Sequence, residues 1–482
     1  MSSNKDNTQK LGLIALIAIV VSSMIGGGID SLPKSMALQS ALGPIVLAWV
    51  IGGFGIFFIA STFRILSDIR PDLQSGVYMY SREGFGAFIG FIVAWGYWLM
   101  TIFGNVAFAV MIMDSLNYFF PGNFTGGNNI TSIICASILI WGFNFLVLSG
   151  TKNASLLNTV GTIGKLIPLI IFVVCVGYFI TKQQLFSNFW GIEKFDNIKP
   201  LGSIVEQTVA PMSVVLWSFI GIEGAVALSD RAKNKKDIGK ATMIGFVISL
   251  LICILISVLP FGIMSQHELS QIPTPSTAGV LKIAVGSLGE DIMNVGVLVS
   301  VLVGWLAWTM LCAEIPMVAS QNGTFPKFFQ KRNHKGAASA SLWSSSIIMQ
   351  LVVFLVYFSN NAWRTMLDIS TVTVLPAYIG STAFLFKICL NNNYGQYAKK
   401  GKIFAMISSV IGIIFCCFMI YASGVKNVLM VPLILSLGIP VYLWAVKENS
   451  INNTISLSRT EKNYMAILLS LMIIFSVIYV LF

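Results

Sequence analysis

The sequence predicts an all-α polytopic membrane protein with 12–13 transmembrane helices, and three observations lead to this fold class. Of the 482 residues, 56% are hydrophobic and 10% are charged, whereas soluble domains carry about 25% charged residues. Apolar runs of membrane-spanning length recur along nearly the whole chain. Two of these runs are interrupted by glycines. A transmembrane β-barrel would instead require short segments of alternating hydrophobicity.

We number the thirteen apolar runs as spans one to thirteen. In chain order they lie near residues 11–40, 43–66, 86–119, 130–150, 155–181, 203–229, 238–264, 290–319, 338–358, 365–390, 402–422, 427–446 and 463–482. They predict a single membrane domain over residues 1–482. Most of the 30 Lys and Arg residues fall in loops that share one side of the membrane with the N-terminus. The positive-inside rule therefore predicts a cytoplasmic N-terminus.

The composition also excludes several functions. The net charge of +11 is a topology signal, because no loop is long enough to form a soluble nucleic-acid-binding domain. All seven cysteines lie in apolar runs without metal-ligand spacing, which is typical of packing residues. Both histidines, His267 and His334, lie in loops. The sequence therefore predicts no enzyme, no metal site, no cofactor and no nucleic-acid partner.

The glycine interruptions in spans one and six are five spans apart. Span one contains "IGGGID" and span six contains "WSFIGIEGA". Gly-interrupted helices at matching positions of two halves are the sequence sign of transporters built from inverted repeats. Backbone N–H groups freed by such a break bind anions and freed carbonyls bind cations, so a pair of breaks suits an α-amino acid. The alternative is that Gly26, Gly27 and Gly28 only permit close helix packing.

On this interpretation the chain has three parts. Residues 11–181 form the first five-helix repeat, and residues 203–390 form the second, which is followed by helix eleven up to residue 422. Residues 427–482 form additional C-terminal helices.

An ordered set of motifs resembles the amino acid–polyamine–organocation superfamily of transporters. The matching stretches are "SMIGGGI", "LPKSMA", "PDLQSGVYMYSREGFG", "WGYW…GNVAFAV", "WSFIGIEGA" and "WTMLCAEIPMVASQNGTFPKFF". Within the superfamily the sequence is most similar to the bacterial basic amino acid/polyamine antiporters, particularly the arginine/ornithine branch. The resemblance implies a bacterial cytoplasmic (inner) membrane location, inverted five-helix repeats with helices one and six broken, and exchange of one substrate for another.

The resemblance also implies a set of substrate contacts. The aromatic residue on span six packs on the aliphatic or guanidinium part of the substrate, as cation–π attraction favours. An asparagine on span three contacts the amine region or sets the occluded geometry, and a tryptophan on span eight completes the pocket. In this sequence the implied substrate-binding residues are Ser23, Ile25, Gly26, Gly27, Gly28, Asn105, Trp217, Ser218, Ile220 and Trp308.

Four ionisable residues within spans are candidates for coupling or gating, because a charge inside a membrane is costly unless it is paired. Lys165 resembles the span-five lysine that takes the place of sodium in proton-coupled relatives; alternatively, its side chain extends to the membrane surface. Glu223 serves gating or caps the broken half-helix. Glu314 pairs with Lys165, accepts hydrogen bonds from a cationic substrate, or contacts backbone donors.

Asp30 is a departure from the antiporters that the sequence resembles, which usually have an aromatic residue after "GGGI". Two roles are open for its carboxylate. It caps the N–H groups of the outer half-helix, or it attracts a cationic side chain of the substrate.

These observations predict a secondary transporter that exchanges a cationic amino acid for a related amino acid or amine by alternating access. Arginine and ornithine are the leading pair; lysine, agmatine, putrescine and histidine/histamine stay open. The expected partners are amino acid and amine substrates and the lipid bilayer, with proton coupling and a homodimer open. The alternatives are a proton-coupled amino acid symporter that uses Lys165, and a sensor or channel on a transporter fold. No carbonyl filter motif favours a channel.

Overall fold

The structure is a computed structural model that describes residues 12–73, 76–193, 200–227, 232–234, 236–391, 394–397, 401–450 and 457–481. Within these residues, ten helices are long and apolar enough to cross a membrane. The pair Leu13–Met24 and Gly28–Ala37, bent by 44°, raises the number to eleven when it is counted as one span. The predicted all-α polytopic membrane fold is confirmed.

The helices follow the order of the predicted runs. Span one is the bent pair, span five is the helix Thr151–Tyr178 and span six contains the apolar stretch Ile204–Trp217. The remaining spans are, in chain order, Leu42–Ile69, Ala87–Leu116, Ile130–Leu148, Lys236–Gly262, Ser287–Gln321, Ser339–Val356, Ala362–Leu390, Lys402–Ala422, Val425–Asn449 and Arg459–Ile478.

Short connecting helices are the elements that the apolar runs did not predict. Val77–Phe85 precedes span three, and Gln266–Gln271 and Ser276–Val285 lie between spans seven and eight. His267, expected in a loop, therefore lies in a short helix. These helices are too short for a membrane-length window to detect, and Ser265 begins one of them with a capping box to Glu268.

Span three is the most enclosed span. In an apolar 18-residue stretch of Ala87–Leu116, 83% of the residues are buried, whereas the corresponding share for Arg459–Ile478 is only 6%. Span three packs against spans eight and ten, span five packs against span eight, and span one packs against span seven. Span three therefore lies near the centre of the bundle.

Candidate functional site

Span one is broken directly at its glycines. The first half-helix ends at Met24, and Gly26 has an extended backbone (φ −111°, ψ −168°) before a 3₁₀ turn over Gly27–Ser31. The Gly26 N–H donates to Met24 O at 3.0 Å. The N–H groups at the start of the next turn, those of Gly27 and Gly28, have no partner within their own helix.

Span six is broken over the residues between Trp217 and Gly224. Gly221 has a φ of +105°, which glycine adopts without the steric cost that other residues meet. The Ser23 hydroxyl of span one donates to Gly221 O at 2.7 Å. The two breaks are therefore in direct contact. The paired glycine motifs predict the breaks but not this hydrogen bond between them.

A small cavity lies at this junction. In this conformation it is narrow: about 10 Å³ of it is open to a water-sized molecule, which is room for about one water. Spans one, three, six, seven and eight all contribute to its wall. The lining residues are Ser23, Met24, Gly26, Gly28, Ile29, Phe108, Trp217, Ser218, Ile220, Cys253 and Trp308.

Three aromatic rings from three spans form one wall of the cavity. The ring centroids of Trp217 and Trp308 are 5.5 Å apart, and that of Phe108 lies 6.2 Å from Trp217 and 5.2 Å from Trp308. Gly28 and Gly104 make room for these rings, because a Cβ at Gly28 would overlap the indole of Trp217 and one at Gly104 would overlap Trp308. The wall offers π faces to a planar cation.

Lys165 reaches the break of span one from span five. Its side chain is 1% exposed, so it does not extend to the membrane surface. Its Nζ donates to Ser22 O at 2.6 Å and to Ile25 O at 2.7 Å. The ammonium thus satisfies carbonyls at the C-terminal end of the first half-helix, where the backbone partial charge is negative.

Asp30 lies on the other side of the same break. It is 1% exposed, and the hydroxyl of Thr277 donates to its Oδ1 at 3.4 Å. Neither the 3₁₀ turn nor the following helix shows a side-chain cap, so the capping role is not what the structure shows. Its Oδ2 is buried without a hydrogen-bond partner among the described residues.

Glu223 lies in the break of span six and is held by two tyrosines. Tyr97 of span three donates to its Oε1, and Tyr378 of span ten donates to its Oε2 at 3.1 Å. Backbone N–H groups at Gly221 and at Glu223 itself also interact with the carboxylate. One buried carboxylate thus ties together three spans.

Ile25, Asn105 and Glu314 are not among the residues that line the cavity. Asn105 is buried and its Nδ2 donates to Cys312 Sγ at 3.4 Å, while its Oδ1 has no partner within the described part of the chain. Ile25 contributes its carbonyl to Lys165, and Gly27 begins the 3₁₀ turn. Glu314 is half-buried on span eight. Asp30, Lys165 and Glu223 likewise lie behind the lining residues rather than among them.

Sequence reasoning missed several residues of the site. Phe108 follows Asn105 by three positions on the same helix, so helical spacing would have placed it on a nearby face. Tyr97 and Tyr378 carry no comparable signal, because they lie 126 and 155 residues from Glu223. Among the described residues, no group of three or more His, Cys, Asp or Glu side chains has the arrangement of a metal site.

A polytopic helical bundle with two broken spans around a central cavity defines the protein as a secondary transporter of the broken-helix class. Residues 11–446 match the family described as "Amino acid permease". The chain belongs to this family.

Relatives with more specific names resemble the chain over most of its length. The "Arginine/agmatine antiporter" of Chlamydia pneumoniae is 52% identical over 451 residues, 93% of this chain and 92% of the relative. The protein of the same name in Chlamydia abortus is 50% identical over 93% of this chain and 92% of its own. That of Chlamydia trachomatis serovar D is 51% identical over 90% of each chain.

Proposed function

We propose that this protein exchanges arginine for agmatine across a bacterial cytoplasmic membrane by alternating access and catalyses no chemical reaction. The observation that carries the proposal is the identity of about half of the residues, over nine-tenths of the chain, with relatives named as arginine/agmatine antiporters. The sequence motifs favoured arginine with ornithine as the leading pair and left agmatine open. The names of these relatives favour agmatine as the counter-substrate.

Once the carrier opens, the walls of the cavity offer complementary groups for each part of arginine. The α-carboxylate takes the N–H groups at Gly27 and Gly28, which begin the outer half of span one. The α-amine takes carbonyls near Ser23 and Trp217. The guanidinium stacks against Trp217 and Trp308, a contact worth about 0.5–2 kcal/mol depending on desolvation.

Agmatine lacks the carboxylate but keeps the guanidinium. The aromatic wall is thus the feature that both substrates share, whereas the break of span one serves arginine alone. Ser218 and Ile220, which line the cavity, contact the substrate stem. Ile25 and Asn105 support the site from behind the wall.

The chain also offers a gate on one side of the cavity. We place the N-terminus in the cytoplasm, because Arg64, Arg70, Lys331 and Arg332 fall on that side. Successive spans alternate in direction, so Tyr97, about 15 Å along span three from its first residue, lies between the cytoplasm and the aromatic wall. The bonds from Tyr97 and Tyr378 to Glu223 then form the closed inner gate. Residues 11–181 and 203–390 are the two repeats that rock against each other; residues 11, 74, 75, 228–231 and 235 lie outside the described residues.

The test is uptake of labelled arginine into liposomes that contain the purified protein. The vesicles are preloaded with agmatine, ornithine, lysine, glutamate, alanine or nothing. Exchange predicts rapid uptake with internal agmatine and little uptake into empty vesicles. Equal uptake with internal alanine and agmatine would contradict the cationic pair.

Two tryptophans provide a matched comparison for the site. Trp308 lines the cavity, whereas Trp343 is 39% exposed on span nine. Trp308→Leu should weaken arginine and agmatine binding by about three- to thirtyfold, the range of a lost cation–π contact. Trp343→Leu should leave both affinities within about twofold of wild type.

The buried position of Lys165 at the span-one break favours a second candidate, a proton-coupled amino acid symporter in which this ammonium titrates. Uptake into empty vesicles that rises with an inward proton gradient would support symport over exchange. Lys165→Met should then abolish the effect of the gradient.

A further inference from the structure

The break of span one contains two buried ionisable side chains, an acid and a base, one on each side. Lys165 bonds to the carbonyls of Ser22 and Ile25 at the end of the first half-helix, and Asp30 lies in the 3₁₀ turn that starts the second. Each is 1% exposed. When both are ionised, the Asp30 carboxylate and the Lys165 ammonium attract each other electrostatically.

Both charges lie directly behind the cavity wall. Asp30 follows Ile29, which lines the cavity, and Ile25, which accepts a hydrogen bond from Lys165, lies between the lining residues Met24 and Gly26. Charges buried at such a position are screened much less than charges in water. An uncompensated ammonium here would repel a cationic substrate.

The hydrogen bonds show that neither charge is fully satisfied by its neighbours. The Lys165 ammonium has three N–H donors, and the two carbonyls of span one use two of them. Asp30 receives one long hydrogen bond from Thr277, and its Oδ2 has no partner among the described residues. A buried carboxylate with an open oxygen is expensive unless a positive charge compensates it.

We propose that Asp30 is a specificity-determining residue whose carboxylate compensates the buried Lys165 ammonium, so that the neighbouring cavity accepts cationic substrates instead of repelling them. This inference rests on the proposed exchange of cationic substrates. Asp30 acts on the substrate through the field in the cavity rather than through direct contact.

A series of three ligands of similar shape but different net charge tests the inference. At pH 7 citrulline is neutral overall, arginine is a monocation and agmatine is a dication. Binding of each ligand is measured by calorimetry on purified wild-type protein, Asp30→Asn, Thr277→Val and the double variant Asp30→Asn/Lys165→Met. Thr277→Val is the matched control, since it removes the hydrogen bond to Asp30 without changing any charge.

Asp30→Asn should weaken agmatine about a hundredfold and arginine about tenfold and leave citrulline nearly unchanged. About tenfold per unit charge is the Coulomb scale for charges about 10 Å apart at an effective dielectric constant of about 20. The double variant should return the three affinities to their wild-type ratios. Thr277→Val should shift all three by one common small factor. An equal loss for all three ligands in Asp30→Asn, or no recovery in the double variant, would overturn the inference.

Thermal unfolding of wild type, Asp30→Asn, Lys165→Met and the double variant keeps the test decisive if Asp30→Asn folds poorly. Each single replacement should lower the midpoint, and the double variant should recover part of the loss because the two effects are coupled. Additive losses would contradict the pairing. If wild type fails to exchange arginine for agmatine but the loss of affinity in Asp30→Asn still rises with the charge of the ligand, only the proposed exchange is contradicted. If wild type exchanges the two substrates but Asp30→Asn loses the same affinity for all three ligands, only the role of Asp30 is contradicted.

Discussion

The two broken helices carry similar glycine motifs but stabilise their breaks with charges of opposite sign. In span one the ammonium of Lys165 satisfies carbonyls at the end of a half-helix. In span six the carboxylate of Glu223 lies immediately before Gly224–Ala227 and accepts hydrogen bonds from two tyrosines. Each charge therefore lies at a helix end of opposite partial charge. Glycine allows a helix to break, and a buried ionisable group at the break stabilises the broken state.

Removal of the Lys165 ammonium from the break of span one should have the largest effect on stability. Lys165→Met leaves the carbonyls of Ser22 and Ile25 without their donor, and we expect the free energy of unfolding to fall by about 3 kcal/mol. Thermal unfolding in detergent, followed by tryptophan fluorescence, measures the loss. Lys182→Met, at an exposed lysine, is the control and should change stability by less than about 0.5 kcal/mol. Equal effects of the two replacements would mean that Lys165 does not stabilise the break.

The contact between the two breaks should be the next most sensitive point. A Cβ at Gly221 would lie 2.7 Å from Ser23 O, and the φ of +105° disfavours any other residue. Gly221→Ala should therefore cost about 2 kcal/mol of stability. Gly142 in span four has no atom within 4 Å of its virtual Cβ. Gly142→Ala should be neutral or stabilising by about 0.5 kcal/mol, and a similar result for Gly221→Ala would exclude the close approach.

Loss of a tyrosine bond to Glu223 of span six should have a smaller effect. We expect it to change the access of reagents to the cavity rather than the stability of the fold. Cys253 lines the cavity and can serve as a reporter in a variant that keeps only this one of the seven free cysteines. Tyr97→Phe removes a hydrogen bond to a buried carboxylate, worth about 1.5–3 kcal/mol. It should raise the rate of maleimide labelling from the cytoplasmic side by about tenfold.

The control for this measurement is Tyr178→Phe, because Tyr178 is 83% exposed. It should not change the rate. If Tyr97→Phe instead raises the labelling of Cys253 from the side opposite the cytoplasm, the assignment of this gate to the cytoplasmic side is wrong.

Span thirteen should matter least, because its apolar window is 6% buried and lies far from both breaks in sequence. Its contact with the bundle includes a hydrogen bond from Tyr442 to Glu461 at 2.8 Å. A chain that ends before residue 457 should keep exchange within about twofold of wild type. Loss of exchange together with a lower oligomeric mass would show that this helix joins copies of the chain.

The elements that the sequence predicted well are those encoded locally. Apolar runs predicted the spans, and the glycines of "IGGGID" and "WSFIGIEGA" predicted both breaks. Their contact through Ser23 and the aromatic wall at Gly28 depend on packing between distant segments. The resemblance to known transporters supplied Trp217 and Trp308, which no periodicity distinguishes from the other tryptophans.

The partners of the buried charges could not be predicted from the sequence. Lys165 had Glu314 as one expected partner, yet the hydrogen bonds of its ammonium go to backbone carbonyls of span one. Backbone carbonyls occur at every residue, so only the three-dimensional course of the chain decides which of them are free. The same holds for Thr277, which reaches Asp30 from a short helix between spans seven and eight.

The single hydroxyl of Ser23 has a mechanical consequence. Its one proton is shared between Gly221 O, at 2.7 Å, and Val20 O of its own helix, at 2.9 Å. A hydrogen bond between two hinges favours, by about 1 kcal/mol, the conformations in which both hinges keep this contact. A carrier whose hinges move together visits fewer conformations that are open at both ends, which limits the leak of solutes through the membrane.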